Sequence, residues 1–461
     1  MTESSNPLEP LGDFQPADYW QTHVNAIFYG IQGPAIHDHF QTFVSRDYRL
    51  AHALADDFLA KALTRADQES PWYVHEWGVG NGNLAACFLS RLKEQDAEGQ
   101  VYARTHYLLC DYSEEILKGA RAHPLLLEHK DRFTTIQIDA GKSDNFKPAS
   151  ADKIISNEIW DDLAAKVLLK HQGVFYEEYL QPLMIPNRSQ DDWEALRRQF
   201  NDKDLASLAQ QPEVLPAIHW ERSFQRVDIS DWPYAEIIEA HFEKVVDEIP
   251  VPVNIGAYAA LEKARATLKP DGQGYTGMDY GMLSMKEVNL EGRPYFNLYG
   301  GQYTNMVNFE LLAEVGKAVG FARVGTELQK DWVARNVGDA LISVVDLVQE
   351  HPRAMEMEAW DRDLLMLETL HALNHAYKSP YKNKMSYPPM PGTPKKQKKL
   401  IAKLAAALSV RGVPDTVAYI TLEETQGAFA RLRKLGYREK DLDRAFTQAP
   451  LPIAFIRANF C

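Results

Sequence analysis

The chain has 461 residues, of which 45% are hydrophobic and 25% charged, and its formal net charge is -14. This is enough apolar material for two or three packed domains. The acidic balance excludes wholesale binding to a phosphate backbone and favours cationic partners, such as a lysine- or arginine-bearing peptide.

Three scattered cysteines, Cys87, Cys110 and Cys461, provide neither a disulfide framework nor a zinc set, and they suit a reducing compartment. The start, "MTESSNPLEPLGDF", lacks the pattern of a secretory or transit peptide. No run approaches the roughly 18 apolar residues of a membrane span. A cytoplasmic protein with no membrane insertion and no nucleic-acid partner is expected; a homodimer is left open.

Residues 1–70 read as a helical N-terminal segment, as in "RLAHALADDFLAKAL", where Leu50, Leu54, Phe58 and Leu59 fall near helical spacing. From Pro71 the pattern alternates. "WYVHEW" is a strand and "NLAACFLSRLKEQ" a helix. "THYLLCDY" is a second strand, followed by the helix "SEEILKGARAH". "FTTIQIDA" is a third strand and "DKIISNE" a fourth. Alternation of this kind predicts an α/β fold with a parallel sheet covered on both faces.

A long insertion follows strand four, at about 160–250. In it "GVFYEEYLQPLM" and "IHWERSFQRVD" read as extended and "DDWEALRRQFNDKDLASLAQQ" as a helix. The aromatics Phe175, Tyr176, Tyr179, Trp220 and Phe224 are expected to pack within this lid. The sheet resumes with the helix "NIGAYAALEKARATL", the turn "KPDG" and the strand "GYTGMDYG". The loop "GGQYTN", the helix "FELLAEVGKAVGF" and a strand at "ARVGTEL" come next. Residues 345–461 read as a helical C-terminal extension, with a proline-rich linker near 379–394.

Chemistry concentrates behind the first strand. Glu76 is followed by Gly78, Gly80 and Gly82, then by a helix. Dinucleotide enzymes space their glycines Gly-x-Gly-x-x-Gly to seat a pyrophosphate. Here the spacing is Gly-x-Gly-x-Gly, which suits a cofactor without phosphate. S-adenosyl-L-methionine (SAM) carries a sulfonium and an ammonium instead. Alternate glycines let the backbone approach it closely, and Glu76 would attract its cationic amino acid moiety. Asp111 ends the second strand, about 29 residues past Gly82, where a carboxylate accepts from ribose hydroxyls. Tyr112 is placed to stack on the adenine and Asp139, ending the third strand, to meet its amino group. Asn157 ends the fourth strand and reaches the cleft.

Together these features look like a class I SAM-dependent methyltransferase. "SNEIWDDL" narrows this: an Asn-Glu pair with an aspartate three residues after the Glu is similar to the MidA-type family. That family includes the mitochondrial complex I assembly factor, a protein arginine methyltransferase. "MDYG" (Met278 to Gly281) resembles its Ile-Asp-Tyr-Gly, and "GGQYTNMVNFELLAEVGKAVGF" resembles its later block. "ELQKDWVARNVG" resembles the strand and helix that follow. The resemblance covers about residues 45–340. It departs from the family at Val79 and Asn81 in the glycine loop, and at Asp111, where the family usually has Glu. It also departs at "GPAIHDHFQTFVSRDYRL", which replaces a glycine- and tyrosine-rich segment. The resemblance implies a Rossmann-like seven-stranded core over 71–340, with helical N- and C-terminal additions.

Methyl transfer to a guanidinium needs carboxylates that orient the acceptor. Glu158 and Asp161 share one face if a helical turn begins between them; Asp162, one position on, points away. Asp279, after strand five, is a further catalytic candidate. The expected function is methylation of a protein side chain, arginine by resemblance. A small-molecule methyltransferase and a non-catalytic assembly factor stay open. No metal is expected: "HDH" (His37, Asp38, His39) lacks a third ligand, and His371 with His375 lacks the Glu of a zincin motif. "KKQKK" (Lys395 to Lys399) reads as a solvated helix start.

Overall fold

The computed structural model describes residues 7–33, 42–65, 69–139, 146–382, 387, 393–447 and 454–461. It is built around a mixed parallel and antiparallel sheet. We number seven of its strands β1 (Trp72–Trp77), β2 (Thr105–Asp111), β3 (Phe133–Gln137), β4 (Lys153–Asn157), β5 (Gly274–Met282), β6 (Val324–Leu328) and β7 (Ala454–Phe460). Their order across the sheet is β6-β7-β5-β4-β1-β2-β3, and the two-residue strand Val307–Asn308 pairs with β5. Strands β1 to β5 are parallel; β7 runs antiparallel to both neighbours, β5 and β6.

Successive side chains on a strand face opposite ways, and the two cores divide accordingly. Ile154 packs with Ala257, Leu261, Leu311 and Val315 of the helices Ile255–Thr267 and Phe309–Val319. Its neighbour Ile155 packs with Leu54, Phe58, Leu84 and Phe88 of the helices Arg49–Leu63 and Asn83–Gln95. Every residue of β5 is buried, as expected of a central strand covered on both faces.

Between β4 and β5 the chain builds four strands of a second, six-stranded sheet. Val174–Met184 pairs there with His219–Arg226 and with Lys166–His171, and Val251–Val253 extends the sheet. The N-terminal segment, read as helical, contains the helices Ala17–Gln32 and Arg49–Leu63. It also lends the short strands Glu9–Pro10 and Gln15–Pro16 to this second sheet. "DDWEALRRQFNDKDLASLAQQ" splits into Gln190–Asn201 and Leu205–Leu208, and "GGQYTN" lies in a hairpin of Phe296–Tyr299 with Gln302–Asn305.

The C-terminal reading needs correction. Helices Val344–Gln349, Ala359–Leu373, Lys395–Ala406, Leu422–Leu432 and Glu439–Thr447 are present, with a core around Leu347, Leu370, Tyr377 and Leu432. They are an insertion rather than an extension, because β7 returns the chain to the middle of the main sheet. Most of the proline-rich linker lies outside the described residues.

Candidate functional site

The turn after β1 dictates the site. The backbone leaves Trp77 with φ of 73° at Gly78, 54° at Gly80 and 81° at Gly82, a region that side chains other than glycine rarely adopt. A Cβ on Gly78 would stand 2.4 Å from Ile159 Cγ2, so the turn also touches the segment after β4. Gly82 opens the helix Asn83–Gln95 and lies against the backbone of Ala120.

A cavity of about 640 Å³ lies at the carboxyl ends of the parallel strands, within the roughly 300–1,000 Å³ common for small-molecule sites. It sits where the strand order reverses: β1, β2 and β3 run outward in one direction, and β4 resumes on the other side of β1. This is where open α/β sheets bind ligands. Gly78, Gly80, Asp111, Tyr112 and Asp139, from the glycine turn and the segments after β2 and β3, line it. So do Asn157, Glu158, Asp161 and Asp162, from the end of β4 and the segment after it.

Beside the glycine turn, Asp111 Oδ1 accepts the backbone N–H of Ser113 at 2.9 Å. Burial pushes its carboxyl up to about 6, against the pull of backbone N–H groups that include those of Val79 and Gly80. Tyr112 is largely exposed, its ring 5.9 Å from that of Tyr29 and nearly perpendicular to it. Asn157 Nδ2 donates to Glu158 Oε1 at 3.0 Å, while its Oδ1 has no hydrogen-bond partner among the described residues.

The segment after β4 is acidic. Glu158 holds φ of 51°, which a side chain rarely adopts, and its N–H donates to the Met278 carbonyl on β5 at 2.7 Å. Burial, then Asp161, pushes its carboxyl up to about 8. Asp161 is pushed up to about 6 by burial, opposed by a hydrogen bond from Tyr280. Its Oδ1 is buried and has no partner among the described residues. Asp162 does not point away. Its Oδ2 accepts from the Tyr29 hydroxyl and its Oδ1 from Gln302 Nε2 at 2.6 Å, and burial raises its carboxyl well above the usual range.

Three expected residues lie off the cavity lining. Glu76 is buried beneath the turn, where it accepts from the Tyr107 hydroxyl at 2.8 Å; burial pushes it up to about 8. Gly82 serves the helix start. Asp279 is fully buried: its Oδ2 accepts the N–H groups of Trp160 and Asp161 and its Oδ1 that of Tyr280, so it braces the acidic turn from behind. Of the lid aromatics, Phe175 packs within the insertion against Phe242, whereas Trp220 packs outside it, against Trp20 and Tyr303; none of the five lines the cavity.

The wall that sequence reasoning missed is the helix Ala17–Gln32. Gln21 Nε2 donates to the carbonyls of Asp161 and Leu163, Asn25 Nδ2 to that of Tyr303, and Tyr29 to Asp162. Polar residues at i, i+4 and i+8 amid Trp20, Val24, Ile27 and Phe28 were the available signal. Among the described residues no group of three or more His, Cys, Asp or Glu is placed to hold a metal, and no helix is long and apolar enough to cross a membrane. His37, Asp38 and His39 lie outside the described residues; His371 bonds the Leu404 carbonyl at 2.7 Å.

No protein-family model matches the chain, and no curated protein sequence matches it significantly. Among solved structures it is similar to a Burkholderia thailandensis superfamily protein bound to S-adenosyl-homocysteine. Identity is 14% over 97% of this chain and 88% of that one, with a TM-score of 0.48. A native superfamily structure from Burkholderia thailandensis gives 14% identity, 98% and 88% coverage and a TM-score of 0.46. The CurJ carbon methyltransferase gives 13%, 60% and 48%, with a TM-score of 0.29.

Proposed function

We propose that the chain is a SAM-dependent methyltransferase that acts on a protein side chain, with arginine as the acceptor, in the manner of the MidA-type family it resembles. The observation that carries the reading is the meeting of Gly78, Gly80 and Asp111 with Glu158 and Asp161 in one cavity at the reversal of strand order. The residues fit a cationic nucleoside. The turn has no room for a Cβ at Gly78, and the lining carries the carboxyls of Asp111, Glu158 and Asp161.

In this reading Asp111 holds the ribose hydroxyls, Tyr112 and Asp139 flank the adenine, and the glycine turn admits the methionyl part. When bound, SAM supplies an electrophilic methyl group on sulfur. Glu158 and Asp161 orient the acceptor's N–H groups, which aligns the nitrogen lone pair for in-line attack. Glu158 in its ionised form, which gains population as pH approaches its raised value of about 8, takes the proton that the nitrogen loses. Asp279 acts through the turn it braces.

Calorimetric titration with SAM, followed by radiolabelled methyl transfer to candidate proteins, tests the reading. Heat of binding and label on an arginine are expected. Absence of heat would overturn it. Label on a small metabolite alone would replace the protein substrate with a small molecule, and binding without transfer would favour an assembly role.

A further inference from the structure

The segment 42–49 lies between the glycine turn and the helical insertion and is hydrogen-bonded to both. On the turn side, Asn81 Nδ2 donates to the Ser45 carbonyl at 2.6 Å. Asn83 Nδ2 donates to the carbonyls of Val44 and Asp47 at 2.7 and 2.9 Å. Thr42, Val44 and Ser45 also line the cavity.

On the insertion side, Asp47 Oδ2 accepts the N–H of Tyr419 at 3.1 Å, and Oδ1 accepts the Tyr377 hydroxyl at 3.0 Å and the N–H of Tyr48 at 2.8 Å. Arg49 donates to the Tyr419 carbonyl and pairs with Glu424 at 2.6 Å. Tyr377, Tyr419 and Glu424 all belong to the insertion between β6 and β7, and Val417 of the same stretch lines the cavity.

We propose that Asp47 is a positioning residue for the glycine turn, and that through it the helical insertion sets the affinity of the nucleoside end of the cavity. The affinity half rests on the function proposed above; the positioning half does not. Asp47 is fully buried, and each of its oxygens is held by at least one donor. A network satisfied in this way is rigid, and it is sensitive to the loss of one acceptor. The segment it fixes is the one to which Asn81 and Asn83 attach the turn. The insertion thereby forms part of the site's wall through Val417, although its first helix starts some 260 residues after Gly82 in the chain.

Asp47→Asn tests this with little change of shape. Whichever oxygen becomes nitrogen, an amide N–H then faces the N–H of Tyr48 or of Tyr419. Thr369→Val is the control. It removes the buried Thr369–Tyr437 hydroxyl contact at 2.9 Å, inside the insertion and away from the segment. Two readouts are taken on the full chain: amide hydrogen exchange over residues 78–86, and calorimetric affinity for S-adenosylhomocysteine.

Asp47→Asn is expected to speed exchange over 78–86 and to weaken the affinity about tenfold, with Thr369→Val changing neither. Unchanged exchange in Asp47→Asn, or the same change in both variants, would overturn the proposal. If the unaltered protein binds no S-adenosylhomocysteine, the proposed function falls, and the exchange readout alone decides the role of Asp47.

Discussion

Asp279 Oδ2 accepts the backbone N–H of Trp160 at 2.8 Å and also that of Asp161 at 3.1 Å. A carboxyl group inside β5, rather than after it as its sequence position suggested, thereby fixes the turn that carries the cavity's acids. Asp279→Ala would leave three buried N–H groups without this acceptor. A loss on the order of 3 kcal/mol is expected, to be read in denaturant unfolding. Asp279→Asn keeps one oxygen, so it should fold and lose activity more than stability.

Tyr29 should separate acceptor from cofactor. Tyr29→Phe removes the hydroxyl that donates to Asp162 and accepts from Gln302 at 2.7 Å. The acceptor KM is expected to rise about tenfold while calorimetric affinity for the cofactor stays within about twofold.

Glu158 predicts a pH dependence of stability. Its folded pKa is raised from 4.5 to about 8, so the folded state holds a proton that the unfolded chain has released. The stabilisation is fully present below about 4.5 and is lost as pH climbs through about 8. Glu76 and Asp415, also raised to about 8, act with the same sign. Glu158→Gln should therefore flatten, without abolishing, the fall in melting temperature across that window.

Lys153 has the opposite sign. It is buried in the main sheet, where its Nζ donates to Thr276 and Asn459, and burial lowers it from 10.5 to about 7. Between those values the unfolded chain binds the extra proton, so stability rises with pH until about 10.5. Lys153→Met should remove that rise, measured as unfolding free energy at pH 7 and pH 10.

Short-range patterns were the legible part of this fold. Trp72–Trp77 and Asn83–Gln95 stand where alternation and helical spacing put them, and Asp111, Asp139 and Asn157, read as strand ends, line one cavity. What escaped depends on contacts between distant segments. "AFIRANF" is a strand because β5 and β6 leave a gap for it, from Tyr275 paired with Phe460 to Glu327 paired with Arg457. Asp162 faces the cavity because Tyr29 and Gln302, over 130 residues away on either side, supply its donors. Glu76 and Asp279 are acids near the carboxyl ends of β1 and β5, yet their partners, Tyr107 and the backbone of Trp160, hold them behind the surface, where burial raises both carboxyls well above the usual range.

The place of β7 has a consequence for synthesis. Translation delivers β5 and β6 long before Ala454–Phe460 emerges from the ribosome. Until then each presents an open edge towards the gap, and the nascent protein carries the aggregation hazard of unpaired strands from the completion of β5 at Met282 until Ala454. The helical insertion, made during that wait, has a core of its own to assemble, and the seven-residue strand that follows it must find its place between two partners made more than 120 residues earlier.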